Sequence, residues 1–318
     1  MILIVFISRN FILKYIKKIE PLEGKIRPYL SCPVSYIIGK GKNDVIQKLK
    51  QFAIQTKPDE VCFDMECHPD IQFDTSKESL ARFAKFAKLK NIPSKKDIKK
   101  GGKYRSLWID FCCSEIALYA SILKEGIKAG HPTCKFMIYS SYQGEKNKEI
   151  YSTDWNYLGK VAEIGSCGYG YPSEEITKST MKAALNTPFE SGILIFEATH
   201  QAMVNLTNDI ICRILQGYAG VMFYENAVID GFYRKKIADA ANLLSLYEEF
   251  FVKPNVSTNL TTSGTLLKQD AFILSRNNKM LLLYLNNTSI ERKGIIKLAN
   301  QTYSITVKPY AQYCQIIK

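Results

Sequence analysis

What this sequence lacks removes several classes of function at once. No apolar run reads as long enough to span a bilayer. Met1–Ser8 (MILIVFIS) is apolar but short, and no basic stretch precedes it, so it reads as a strand and not as a secretory leader. No CxxC pair occurs, which removes zinc-ribbon and dithiol patterns. The three histidines show neither HxH nor HExxH spacing, so no metal centre is expected. No GxGxxG follows a candidate strand, and no GxSxG elbow is present; dinucleotide binding and esterase chemistry are not indicated, and no cofactor is expected. There is no internal repeat.

What is present describes a globular chain. It has 318 residues, 46% hydrophobic and 23% charged, enough for one large domain plus a small one. The nine cysteines follow no framework spacing, and Cys62, Cys134 and Cys167 lie in apolar runs. They read as reduced core residues, which favours a reducing, cytoplasmic compartment. The net charge is +13, from 43 basic and 30 acidic residues. The densest basic stretch, Lys88–Lys103 (KLKNIPSKKDIKKGGK), has no regular apolar pattern. It reads as a solvated, flexible loop, and neither a nucleic-acid nor a membrane partner is expected.

Strand-like and helix-like segments alternate through most of the chain. Strands are expected at Ile2–Ser8, Lys25–Ser31, Glu60–Glu66, Cys134–Ser140, Ala162–Tyr169, Gly192–Glu197 and Gly220–Glu225. Helical spacing marks Phe11–Ile19, Asp44–Thr56, Ser76–Leu89, Tyr104–Ala129, Asp154–Val161, Ser173–Leu185, Thr207–Gln216 and Tyr233–Phe251. Seven β-then-α units predict a parallel sheet covered by helices. The expected fold is α/β, a (β/α)8-type TIM barrel over 1–253 with seven units visible, incomplete or divergent at its N-terminal end. After Pro254 the pattern changes. Residues 254–264, rich in Asn, Ser and Thr, read as a linker. Residues 265–318 hold short strands separated by turn residues such as Asn277-Asn278, a small antiparallel β-sandwich-like domain.

Two glutamates stand out. Glu66 closes EVCFDMEC and Glu197 closes GILIFEAT, each at the end of an apolar strand. In a parallel barrel that end is the mouth, where such folds place their chemistry. Asp64 and Glu66 alternate onto one side of their strand, and two close carboxylates raise one pKa, which suits a general acid near neutral pH. Paired carboxylates are the machinery of glycoside hydrolysis. The other mouth candidates follow from strand ends: Glu225 as support, and Tyr139, Tyr142, Tyr169, Tyr171, Asn226, Asp230 and His200 for substrate. Tyrosine faces stack on sugar C–H surfaces and keep a polar handle. Asp154-Trp155 reads as a helix cap beside a packed indole, and Trp108 and Asp110 as structural.

The pattern resembles glycoside hydrolase clan A, whose α/β barrels carry an acid/base glutamate after the fourth strand and a nucleophile glutamate after the seventh. If Ile2–Ser8 is the second strand, Glu66 follows the fourth and Glu197 the seventh. Trp108–Ser140 is similar in style to the helix-then-strand unit of family 42 β-galactosidases, and a small C-terminal β domain suits that group. The resemblance implies a retaining hydrolase of a glycan or oligosaccharide, with Glu66 as acid/base and Glu197 as nucleophile. Met65 stands where that clan usually has Asn. The same strand also resembles the DxxDxDxE strand of family 18 chitinases, with Asp59, Asp64 and Glu66 in place and Cys62 at the middle Asp. That resemblance implies a substrate-assisted mechanism in which Glu66 protonates the leaving group. A non-catalytic carbohydrate-binding barrel is the remaining alternative.

Overall fold

The computed structural model describes residues 4–7, 33–66, 69–167, 174–185, 187–194, 203–224 and 229–317. The chain divides into two compact units, Met1–Glu190 and Ser191–Lys318. The candidate elements Phe11–Ile19 and Lys25–Ser31 lie outside the described residues.

Unit 1 is built on parallel strands β1 (Ile4–Ile7), β2 (Glu60–Asp64), β3 (Lys135–Ser140), β4 (Ile164–Cys167) and β5 (Phe189–Leu194), side by side in chain order. β1 pairs directly with β2, Phe6 opposite Cys62. Because β1 and β2 are adjacent, the rank is corrected by one: counting from Ile2–Ser8 as second, Glu66 follows the third strand. The step of three strands from β2 to β5, which ends ahead of Glu197, is unaffected.

The helices of unit 1 are α1 (Pro33–Ile38), α2 (Lys42–Thr56), α3 (Lys77–Phe86), α4 (Lys95–Ile98), α5 (Arg105–Gly130), α6 (Glu145–Tyr151), α7 (Trp155–Leu158) and α8 (Glu174–Ala183). Ser76 caps α3 by accepting from Ser79 N at 3.1 Å, and Asp154 caps α7 by accepting from Asn156 N at 2.8 Å, the latter as the sequence indicates. The indole of Trp155 lies beside that cap, 1% exposed.

α5 is the spine. On length and composition alone it could cross a bilayer, contrary to the reading that no run is long enough; 61% of its apolar window is buried within the fold. It packs closely on α2 through two glycines four residues apart. A Cβ on Gly126 would meet Leu49 Cβ at 2.8 Å, and one on Gly130 would meet Lys50 O at 2.3 Å. Neither neighbour is the free end of a flexible side chain, so these small residues set the helix separation. Arg82 of α3 binds the buried Glu115 of α5 at 2.8 Å, and Lys128 of α5 binds Glu163 at 2.8 Å. Glu163 in turn accepts from Phe136 N at 2.9 Å, tying α5 to the start of β3.

In unit 2 the later half of β5 neighbours β6 (Gly220–Tyr224). Helices α9 (Leu206–Leu215), α10 (Gly231–Leu246) and α11 (Glu248–Phe251) follow. Ile193, Leu206, Ile210 and Tyr233 share one core cluster. The C-terminal strands are β7 (Val256–Ser257), β8 (Thr261–Thr262), β9 (Ala271–Arg276), β10 (Lys279–Leu285), β11 (Arg292–Leu298), β12 (Gln301–Val307) and β13 (Gln312–Ile317). They form two sheets, β13-β10-β9-β7 and β12-β11-β8. The stretch read as a linker thus supplies β7 and β8, one strand to each sheet.

β10 is apolar at nearly every position because both its faces are covered. Leu282 and Tyr284 pack with Ile296 and Ile305 of the second sheet. Leu281, Leu283 and Leu285 pack with Ile211 of α9 and Phe250 and Phe251 of α11. The β9–β10 hairpin turns on Asn277 and Asn278, both at positive φ (47° and 61°), the two-residue geometry asparagine tolerates best among residues with a Cβ.

Candidate active site

The two faces of the unit 1 sheet differ in chemistry. Phe63, Ile138 and Gly165 are register partners. A Cβ on Gly165 would meet the Phe189 ring at 2.5 Å, and that ring lies 4.5 Å from Trp155 of α7. This face is covered by helices. The opposite face, by strand alternation, carries Glu60, Cys62 and Asp64 from β2, Met137 and Tyr139 from β3, Ser166 from β4 and Glu190 from β5.

Asp64, Tyr139 and Ser166 sit at one level across three strands. The ladder continues past β2: Met65 N donates to Tyr139 O at 2.9 Å, with Met65 fully buried. Glu66 comes next, at the carboxyl end of β2 and half-buried. Its backbone N donates to Asp64 Oδ1 at 2.8 Å. That bond holds the turn in which Glu66 leaves the strand, and it orients Asp64. Burial, and then the Asp64 charge, push the Glu66 carboxyl up to about 7. A carboxyl poised there is part protonated at neutral pH and can both give and take a proton.

Cys62 is fully buried between acidic neighbours. Burial first, then the charges of Glu60, Asp64 and Glu190, push its thiol well above the ordinary range. It stays a neutral SH and is no nucleophile. On the same face stand Glu60, four residues before Asp64 on β2, and Glu190 of β5, a pair sequence reading missed. Glu60 is raised by burial; Glu190 is raised to about 7 by burial and then by the Glu60 charge. The signal for Glu60 was there: it lies two and four residues before Cys62 and Asp64, on their side of the strand. Glu190 was hidden because β5 starts earlier than its apolar run suggests. The Ser166 hydroxyl and Glu60 Oε1 are buried with no hydrogen-bond partner among the described residues.

The other candidates fall as follows. Tyr139 is 2% exposed, level with Asp64. Tyr142, half-buried, follows β3, and its carbonyl accepts from Asn147 Nδ2 at 2.6 Å. Asp230 caps α10, accepting from Phe232 N at 2.9 Å and Tyr233 N at 3.2 Å. Glu197, Glu225, Tyr169, Tyr171, Asn226 and His200 lie outside the described residues. Trp108 is structural, donating from Nε1 to Gln72 O at 3.0 Å, and Asp110 accepts from Tyr157 OH at 3.1 Å. Among the described residues no group of three or more His, Cys, Asp or Glu is placed to hold a metal ion.

No family model matches the chain, and no curated protein matches it. Among solved structures it is similar to an alpha-amylase from Anoxybacillus, described as a new glycosyl hydrolase subclass, at 9% identity and TM-score 0.46. That match covers 87% of this chain and 62% of the other. It is also similar to the alpha-amylase of Geobacillus thermoleovorans complexed with acarbose, at 10% identity and TM-score 0.45, covering 88% and 64%. A GH30 endoxylanase from Clostridium papyrosolvens C71 is similar at 10% identity and TM-score 0.37, covering 86% and 92%. The chain thus spans less than two thirds of the two amylases.

Proposed function

We propose that the chain is a glycoside hydrolase of (β/α)8-barrel type acting on a glycan or oligosaccharide, with Glu66 as its proton donor. The observation that carries the reading is the Asp64–Glu66 pair at the carboxyl end of a parallel strand, with Glu66 raised to about 7. In the two-carboxylate form, Glu66 protonates the leaving oxygen while Glu197 attacks the anomeric carbon. Glu66, now ionised, then draws a proton from the water that releases the sugar. A retaining reaction needs the two carboxyl groups about 5–5.5 Å apart. Asp64 holds the turn, and burial together with its charge keeps Glu66 part protonated at neutral pH.

A second reading draws on the same pair. Asp64 and Glu66, with Asp59 and with Cys62 at the middle position, match the pattern of a substrate-assisted hydrolysis needing no Glu197 except at Cys62. Reducing-end release from a polysaccharide panel separates the readings. Glu66→Gln should lower the rate by roughly 10²–10⁴-fold, the usual worth of a general acid, and spare the first step on activated aryl glycosides, seen as a burst of aglycone, because their leaving group needs no proton. The wild-type rate should fall as pH rises through about 7, where Glu66 loses its proton. Glu197→Gln at full rate would leave only the substrate-assisted form. A Glu66→Gln variant at full rate on natural linkages would end both, leaving the non-catalytic carbohydrate-binding barrel.

A further inference from the structure

The segment 88–103 holds seven lysines and one acid, Asp97. It is not the flexible loop its composition suggests. Ser94 and Asp97 form a capping box on α4: Ser94 N and Oγ both donate to Asp97 Oδ2, at 2.8 and 2.7 Å. Tyr104 N donates to Asp97 O at 2.7 Å, and Gly102 N to Lys99 O at 2.8 Å. Ile98 is 2% exposed and Pro93 is buried, pinning the segment from below. A Cβ on Gly102 would meet Asp97 O at 2.5 Å, so the turn closes tightly.

All seven lysines are exposed. Among the described residues none of them closes a salt bridge; Lys103 Nζ lies 4.8 Å from the centroid of the Tyr104 ring and feels the Asp97 charge, and the Asp97 carboxylate is held by the cap. Holding like charges on a fixed scaffold costs self-repulsion, which an anionic partner would relieve. The segment's position says where that partner lies. It leads into the first turn of α5, where Arg105 Nη2 donates to Gln72 Oε1 at 2.7 Å and Trp108 Nε1 to Gln72 O. Gln72 belongs to the short 3-10 turn Pro69–Phe73, which follows Glu66. The lysines therefore stand at the carboxyl end of the sheet, the end that presents Glu66. The segment carries no aromatic residue, so it offers no stacking platform for nucleic-acid bases.

We infer that Lys88–Lys103 is an ordered cationic rim that binds an anionic polysaccharide, chains of uronate or sulfated sugars, and feeds it to the Glu66 site. The inference rests on the glycosidase reading for its substrate, but its test needs no turnover. Binding of polygalacturonate, of a neutral glucan of the same length and of a DNA duplex is measured by titration calorimetry at low and physiological salt. The protein is compared with Lys95→Gln/Lys96→Gln/Lys99→Gln/Lys100→Gln and with Glu66→Gln. Expected is polygalacturonate binding that weakens with salt and loses roughly tenfold or more at low salt in the lysine variant. The thermal midpoint of the lysine variant should equal or exceed wild type, which shows that it folds. Unchanged polyuronate affinity in the folded lysine variant overturns the inference, as does tighter binding of the duplex or of the neutral glucan. If the binding holds while Glu66→Gln hydrolyses at full rate, the catalytic reading alone falls.

Discussion

Glu66 and Glu190 are partly exposed carboxyls that burial holds far from their ordinary behaviour in water. Both carboxyls ionise near 4.5 in an unfolded chain and about 7 in the fold. Between those values the folded protein keeps a proton that the unfolded chain has released, so stability falls as pH rises through that window and levels off above it. The two can be separated by substitution. Glu190→Gln removes a carboxylate that burial and the Glu60 charge disfavour. Its thermal midpoint should exceed wild type at pH 8, match it at or below about pH 4.5, and show a shallower slope between. A parallel pair of pH–midpoint curves would show that Glu190 ionises freely. The same substitution should leave hydrolysis less affected than Glu66→Gln, because Glu190 lies near the start of β5, facing the Glu60 charge and away from that strand's carboxyl end. Asp64 and Glu66 were readable from alternation alone. Glu60 and Glu190 were not: a carboxylate in an apolar strand looks like a boundary until its neighbours on other strands are known.

At the scale of elements, most of the parallel alternation was legible because each strand buries a continuous apolar run and each helix keeps an apolar face. What failed was adjacency. Periodicity identifies a strand but not its neighbour: β1 and β2 pair directly, although the chain that joins them also has a strand-like pattern. The lysine segment failed for the opposite reason. Its order comes from one buried isoleucine and a four-residue cap, signals too short for a periodic reading. Asp230 shows how a strand-end position can be filled by local chemistry. It reads as a mouth residue, and in the fold its carboxylate accepts from two backbone amides at the start of α10. Asp230→Ala should cost about 1 kcal/mol by chemical denaturation, within the 0.5–2 kcal/mol range of lost caps. Asp230→Asn should recover most of that, since its amide oxygen can accept the same bonds. An Asp230→Asn variant as unstable as Asp230→Ala would mean that the charge, and not the cap, is what α10 needs.

Across the whole molecule, the excess of 43 basic over 30 acidic residues is the property composition states best and interprets least. Seven of the basic residues crowd 88–103, and only the structure shows that they are held on a fixed scaffold. The division into units was also beyond composition: the change of pattern after Pro254 is real at the level of strands, yet compactness divides the chain at Glu190, inside a strand, where no turn signal marks it. The charge excess has a direct thermodynamic consequence. Like charges at fixed positions repel more in the compact state than in an expanded chain. Raising sodium chloride from about 0.01 M to about 0.15 M shortens the screening length from roughly 30 Å to roughly 8 Å. The thermal midpoint should therefore rise over that range. The four-lysine variant should start from a higher midpoint at low salt and gain less from added salt, because part of the repulsion has been removed. A midpoint that falls as salt is added, or a lysine variant with the full wild-type salt response, would place the dominant repulsion elsewhere on the surface and remove the strain argument for a cationic rim.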